Sequence, residues 1–578
     1  MLAEKIQEHA ISLFGSSFKF RDGQVEAIQS IVENAISDTK HTVLEAPTGS
    51  GKSIIALLSA YVLFKEFEKK SYILVSDLSL FDQYANDICK LDSKVFGKLK
   101  GKENYICYVN GCKVSQSKCS LQGLSINGSL YNAKKTLGCT YQCEYANEYS
   151  RAVKAPITLM TYQLYFIQRN YVEDDIFGGK NPNFPKRDLV ICDECHKICD
   201  ICQSHFAPRI SIERPHWMNV LDRYAHMYPS ENERMSILGK IELNADNDEL
   251  IDAISDYGNY IGKYCDANNK IRRNLAKKDN LSKNEREALI AGNLARQEHC
   301  KIVDMVAFVK QTGSSKHIVK TTLGNEITIN FVFDSLMLKK YLHDKSACEL
   351  LMSATIGDVK EYSKLAGLDE NSTKSLMMKS SFDFSNSPIY VSADNCMSAA
   401  DKSTSIKNIA KQVANICHLH QNSRGIIQTG SYSNSEDLKM LLPLDVVKRC
   451  ILYSNTIEKK NALEKYLATK DAILVGPTLV EGLNFPDDLC RFQICIKVPY
   501  AYLGSEYVKK KKDYIDGWYV YDATTKICQG IGRGVRHKDD WCKTYILDGC
   551  IMNIYNKLEN IDVLDGRFKL FEEEQDDI

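Results

Sequence analysis

The sequence predicts an α/β fold of two domains, the first interrupted by two insertions, and three stretches carry that expectation. Residues 43–53 read V-L-E-A-P-T-G-S-G-K-S, an apolar run that breaks into a glycine-rich turn opening a helix. Residues 188–196 read D-L-V-I-C-D-E-C-H, a second apolar run closed by acids. Past about residue 380 the pattern of apolar runs and glycine-bearing turns starts afresh, with A-I-L-V-G-P-T-L-V-E-G-L-N-F at 472–485 and Q-G-I-G-R-G-V-R at 529–536.

The first stretch has the chemistry of a nucleoside triphosphate cradle. Gly49 and Gly51 let the backbone curl until successive N–H groups converge, Lys52 supplies a point charge, and the Ser53 hydroxyl can hold Mg2+. Thr48, Gly49, Ser50, Gly51, Lys52 and Ser53 are therefore candidate nucleotide-binding residues, although Ala46 stands where the strict pattern has glycine. An ordinary strand-to-helix turn would account for the loop alone; the acidic strand end downstream favours the cradle. There Asp193 is suited to hold Mg2+ and Glu194 to polarise an attacking water. The CxxC pairs Cys192/Cys195 and Cys199/Cys202 raise a zinc reading, but only three residues separate the pairs, against a loop of about 15 to 20 in zinc ribbons.

At 578 residues the chain is long enough for three or four domains with real cores. Basic and acidic residues balance at 74 each, so nucleic-acid contact must use local patches rather than a global field. No apolar stretch reaches a membrane span, and the first ten residues read as an amphipathic helix rather than a signal peptide. A soluble intracellular protein is expected, cytoplasmic or, in a eukaryote, nuclear. Most of its 21 cysteines should then be small buried hydrophobes, with any cluster suspected of binding metal.

In chain order, Phe18-x-x-Arg21-x-x-Gln24 precedes a helical pattern over about 25–35. A glutamine amide can pair with both N6 and N7 of adenine, so Gln24, with Arg21, is a candidate for selecting ATP; a surface glutamine is the plain alternative. Strands are expected at 72–76 and 156–162, with a helix at 78–89 between them. The second strand ends in Thr161 and Tyr162, polar groups able to touch a nucleic-acid backbone. Over 96–148 the periodicity fails and Cys107, Cys112, Cys119, Cys139 and Cys143 appear. Their irregular spacing suits an iron–sulfur cube better than structural zinc, with free thiols a further possibility. Lys98, Lys100, Lys102 and Tyr105 give this insert a basic, aromatic rim that suits single strands, or simply a solvated loop. Residues 211–325 read as a mainly helical insertion. The α/β pattern resumes at 327–333, then at L-L-M-S-A-T-I over 350–356, and a strand with its loop is expected at 423–433. Arg533 and Arg536, three apart on one face of a helix start, can together neutralise a transferring phosphoryl group.

The ordered set F-x-x-R-x-x-Q, A-P-T-G-S-G-K-S, D-E-C-H, S-A-T-I, E-G-L-N-F and Q-G-I-G-R-G-V-R makes the chain resemble the XPD/DinG branch of superfamily 2 DNA helicases over nearly its whole length. The resemblance implies two RecA-like motor domains. Residues 1–95, 149–210 and 326–379 would form the first, with an iron–sulfur insert at 96–148 and an Arch-like insert at 211–325; residues 380–578 would form the second. N-Y-I-C at 104–107 and C-E-Y-A at 143–146 look like the ends of the family's 4Fe-4S insert. By that likeness Cys107 and Cys143 are the first and last ligands and Cys139 the third, with Cys119 preferred to Cys112 as the second.

The resemblance further implies that Lys52, Asp193, Glu194, Gln529, Arg533 and Arg536 act on ATP and Mg2+ between the motor domains. Loops around Thr161, Tyr162, Ser431 and Thr478 would grip single-stranded DNA without reading bases. Cys195 replaces an alanine usual in the family, and Asn484 stands where an acid is frequent, so no role is carried to Asn484. The phosphate loop begins within the first fifty residues, so the N-terminal exonuclease of some relatives is not expected. The implied activity is 5′ to 3′ translocation and unwinding by a monomer on single-stranded, fork or overhang DNA. Two other classes compete. One is an ATPase that translocates without separating strands. The other is a redox-sensing iron–sulfur binding module, against which the set Lys52, Glu194, Gln529 and Arg533 argues.

Overall fold

The structure is a computed structural model describing residues 2–88, 91, 94–121, 143–171, 184–243, 248–275, 278, 280–313, 315–380, 384–398, 400–477, 485–532, 534–535, 539–559, 561, 564 and 567–570. Five short strands open it: β1 (His41–Glu45), β2 (Ser71–Val75), β3 (Phe96–Leu99), β4 (Ile157–Thr161) and β5 (Leu189–Asp193). They are almost wholly buried, as parallel strands covered on both faces must be. Next come β6 (Arg209–Ser211), β7 (Ile318–Leu323) and β8 (Glu326–Phe331), then β9 (Cys348–Ser353) and β10 (Thr373–Met377). The first sheet is parallel throughout, in the order β10-β1-β9-β5-β2-β4-β3.

Alternate residues of these strands enter different cores. Val43, Tyr72, Leu74 and Val190 face one side of the sheet, while Leu44, Ile73, Val75 and Ile191 face the other. The first of these cores runs without a break into the cysteine-bearing insert, through Tyr105, Leu121 and Tyr145, and into the helical insertion, through Trp217, Tyr257 and Phe308. That insertion holds the helices His216–Ala225, Glu231–Leu243, Asp248–Leu275 and Lys283–Thr312. The last begins in a reciprocal cap between Ser282 and Glu285 and stops at Gly313, whose φ of 69° suits glycine.

One expectation is corrected here. The strand read at 327–333 as a return to the α/β sheet is β8, in a separate antiparallel sheet ordered β6-β8-β7 at the root of the insertion. Its burial alternates along the strand, the mark of a strand covered on one face only.

The second α/β body is a parallel sheet of β11 (Ile389–Val391), β12 (Gly425–Gln428), β13 (Cys450–Leu452), β14 (Ile473–Gly476), β15 (Phe492–Cys495), β16 (Lys543–Ile546) and β17 (Phe568–Leu570). Its order is β13-β14-β12-β15-β16-β11-β17. No described helix is long and apolar enough to cross a membrane.

Candidate active site

β1, β9 and β5 are neighbours in the first sheet, so the chain leaves all three at one edge, where parallel sheets bind ligands. Beyond β1 the backbone turns left-handed at Gly49 (φ 85°) and Gly51 (φ 79°), and Gly51 caps the helix Lys52–Phe67. The N–H groups of the loop therefore gather at a helix N-terminus. A side chain at Gly51 would also collide with Gln24, whose Nε2 lies 2.4 Å from where a Cβ would stand. Gln24 is 2% exposed; it donates to the Ser50 carbonyl at 2.7 Å and accepts from the Arg21 N–H at 2.9 Å. Arg21 donates to the Gly49 carbonyl. The F-x-x-R-x-x-Q stretch thus braces the phosphate loop, and the Gln24 amide is engaged there instead of standing open to a base. The Ser50 hydroxyl is buried without a protein partner, a donor that a phosphate oxygen can complete.

Lys52, Ser53, Asp193 and Glu194 line one cleft with Gln529 of the second body, in a space of about 300 Å3. Asp193 is 2% exposed, and burial together with the Glu194 charge pushes its carboxyl up to about 6, against the pull of Lys52 and Tyr84. Tyr84 donates to Asp193 Oδ2 at 2.8 Å. Glu194 has a left-handed backbone (φ 53°), unusual for a residue with a side chain. The oxygens of Ser53 and Asp193 suit a hard divalent cation. His196 Nδ1 lies 2.7 Å from Ser353 Oγ and 3.4 Å from Glu194 Oε2, and Ser353 Oγ accepts from the Thr355 N–H at 3.3 Å. His196 thereby joins D-E-C-H to S-A-T, a role the sequence signalled only by its place in the first motif. Tyr84 left no signal, since it meets Asp193 from 109 residues away.

On the second body Gln529 sits in the last turn of the helix Trp518–Ile531, so Q-G-I-G marks a helix end and not the helix start expected. Arg533, Arg536, Thr478 and Cys139 lie outside the described residues. Ser431 caps the helix Tyr432–Leu441 by accepting from the Asn434 N–H at 3.1 Å, and Thr161 caps Tyr162–Phe166 in the same way through Leu164. Tyr162 corrects another expectation. It is fully buried in the core below β4 and donates to the Asp193 carbonyl at 2.8 Å, so it cannot touch a nucleic acid. The chain passes from β4 straight into a helix there, which turns the ring inward.

In the insert, Cys107 N–H donates to the Cys112 carbonyl at 2.6 Å, closing a hairpin whose Ile106 and Lys113 form a bridge. Cys119 lies 3.1 Å from Ser117 Oγ, and Cys143 precedes the helix Glu144–Lys154. Tyr105 and Tyr145 meet edge to face at 5.3 Å between these turns. Among the described residues no three of these sulfurs fall within 4.8 Å, the grouping of a single-ion site. Thiols on separate turns around one aromatic centre fit a thiolate-held iron–sulfur cube in their donor chemistry. Among the described residues Cys192, Cys195, Cys199 and Cys202 form no single-ion group either, and burial pushes all four thiols up.

Two family models match the chain: a helicase C-terminal domain over residues 413–560, and the res subunit of type III restriction enzymes over 17–228. A probable ATP-dependent helicase of Methanocaldococcus jannaschii is 22% identical over 92% of this chain and 91% of its own length. The ATP-dependent DNA helicase DinG of Photobacterium profundum is 26% identical over 37% of this chain and 34% of its own. Among solved structures, an XPD helicase superposes with a TM-score of 0.60 at 17% identity, covering 96% of this chain and all (100%) of that one. An XPD protein of S. tokodaii gives 0.59 at 14% identity, covering 95% of this chain and 100% of that one. The two parallel-sheet bodies share the RecA-like fold of the XPD structures, and the two matched regions with the near-full-length relative make the chain similar to ATP-dependent helicases of the XPD/DinG kind.

Proposed function

We propose that the chain couples ATP hydrolysis to 5′ to 3′ translocation on single-stranded DNA and to separation of duplex at forks and overhangs. The observation that carries this reading is one cleft lined by Lys52, Asp193 and Glu194 from the first body and Gln529 from the second. Lys52 and the loop N–H groups bind the β- and γ-phosphates, and Glu194 orients the attacking water. Ser53 and Asp193 would hold Mg2+, whose chemistry there is to neutralise charge developing on the phosphate oxygens. Tyr84 fixes the Asp193 carboxylate, and the His196–Ser353 pair ties Glu194 to the loop after β9. Arg533 and Arg536 would complete the cleft from the second body. Hydrolysis then releases the two bodies from each other and lets them step along the strand.

Thr161, Ser431 and Thr478 would grip backbone phosphates from strand-end loops, so affinity should fall as salt rises. Tyr162 serves behind them, bonded to the Asp193 main chain. Cys107, Cys119, Cys139 and Cys143 would hold a 4Fe-4S cluster that stiffens the insert. The chain would work as a monomer, with one cleft per chain, and its motor domains and inserts would divide near the boundaries the motifs suggest, with β6 and β8 belonging to the root of the helical insertion.

The test is steady-state ATP turnover with and without a single-stranded oligonucleotide, beside unwinding of duplexes bearing a 5′ or a 3′ overhang. DNA should stimulate turnover, the 5′-overhang substrate should be unwound in preference, and Lys52→Ala should lower turnover on the order of a hundredfold while retaining the fold. Near-normal turnover by Lys52→Ala would refute the cleft assignment, and unwinding of only the 3′-overhang substrate would refute the polarity.

A further inference from the structure

A second contact between the two bodies lies away from the cleft. The helix Glu506–Tyr514 reads E-Y-V-K-K-K-K-D-Y, and four consecutive lysines lead one to expect a solvated face. Lys511 is nevertheless 2% exposed. Its Nζ lies 2.6 Å from Oδ2 of Asp334, itself 3% exposed at the start of the helix Asp334–Tyr341 in the first body. Tyr507 OH stands 3.3 Å from the same ammonium group and the Trp518 ring 4.7 Å from it.

The neighbouring side chains extend the contact in two directions. Lys510 donates at 2.9 Å to the carbonyl of Ile318, the first residue of β7, by which the chain returns from the helical insertion. Tyr514 packs edge-on to Phe333, and Phe333 to His317. In the other direction Tyr521, on the helix that carries Gln529, donates at 2.8 Å to the Ile356 carbonyl beyond Ser353. One short helix therefore touches the root of the insertion and, through its successor, the loop beside the nucleotide cleft.

A buried ion pair adds little net stability, because desolvation offsets most of the attraction, but removing one partner strands a charge. Such pairs serve best to fix a register, and when both groups part together each regains its water. We propose that Lys511 and Asp334 form a latch that ties the second body to the root of the helical insertion and opens when the bodies move in the nucleotide cycle. The trigger rests on the motor reading given above; the latch itself does not.

Hydrogen exchange on the full chain tests this, read at the amides of 506–514 and 318–323. Without ligand both segments should be protected in the native protein. Lys511→Ala and Asp334→Ala should each speed exchange in both segments by about tenfold or more, while the strands of the two sheets stay protected. A non-hydrolysable ATP analogue with Mg2+ and a single-stranded oligonucleotide should open both segments in the native protein. It should fail to open them when Lys511→Met and Asp334→Leu are combined, since an apolar pair of similar size has no charges to rehydrate. Loosening of 506–514 alone in Lys511→Ala would overturn the latch, as would continued protection of both segments in the native protein with nucleotide and DNA. ATP turnover measured on the same samples separates failure of the motor from failure of the latch, because the ligand-free exchange needs no turnover.

Discussion

At the scale of single residues, a buried charged cluster of the first body lies at the opposite strand ends from the cleft. Glu349 is 0% exposed at the start of β9, and its Oε2 accepts from His343 Nδ1 at 2.7 Å and His41 Nδ1 at 3.2 Å. Ser346 donates to its other oxygen, and His343 Nε2 faces the Ala366 carbonyl at 2.9 Å. Both ring nitrogens of His343 face acceptors, an arrangement that favours the doubly protonated ring. Burial opposes that charge, but the Glu349 carboxylate outweighs it and raises the His343 pKa above its usual 6.5. Burial likewise opposes the Glu349 charge, but His343 and His41 outweigh it and hold the carboxyl below its usual 4.5. The His343 contribution to stability is thus fully present below pH 6.5 and lost as pH rises through the raised value. The Glu349 contribution is present above pH 4.5 and lost as pH falls through the lowered value. Urea midpoints should therefore fall on the alkaline side, and His343→Gln should flatten that fall. Parallel profiles for the two proteins would show that this pair does not set the pH dependence.

At the scale of elements, the long helices Asp248–Leu275 and Lys283–Thr312 approach so closely at Gly292 that a Cβ there would stand 2.0 Å from Asn268 Oδ1 and 2.8 Å from its Cβ. Alanine would gain about 0.8–1 kcal/mol in helix propensity. Overpacking costs about 1–3 kcal/mol, so it should win. Gly292→Ala is therefore expected to lower the urea midpoint. Asn268 is buried with neither amide atom partnered, so adding Asn268→Ala should restore stability to at least the native level. A midpoint raised by Gly292→Ala alone would overturn this account. Asn268 and Gly292 are 24 positions apart in the sequence, and no local pattern announces their contact. The same limit separates what could be read from what could not elsewhere. The apolar runs before Lys52 and Asp193 declared buried strands because covering both faces favours near-continuous apolar residues. A run like that of β8 can serve either kind of sheet, and only its partners decide. At Tyr162 the polar end of a strand looks the same in sequence whether it meets solvent or, as here, a buried carbonyl. The motifs that line the cleft are local runs of sequence, whereas the Tyr84–Asp193 contact and the pairing of His196 with Ser353 depend on strand order.

At the scale of the whole molecule, the cores are divided unequally. One core joins the first sheet to the cysteine-bearing insert and the helical insertion without a break, whereas the second body has separate cores of its own. The inserts should then unfold with the first body, and the second body should unfold separately, giving two thermal transitions rather than one or four. The cleft changes that relation, since Lys52 and Asp193 come from one body and Gln529 from the other. A ligand held by both must stabilise both, by about 2.7 kcal/mol at a hundred times its Kd. For bodies of this size that is a rise of several degrees, at about 2–4 °C per kcal/mol. Calorimetric scans with a non-hydrolysable ATP analogue and Mg2+ should therefore move both transitions upward and draw them together. Lys52→Ala should leave both where they stand without ligand. If the analogue raised only one transition, the nucleotide would be held by a single body, and hydrolysis could not drive the two bodies against each other.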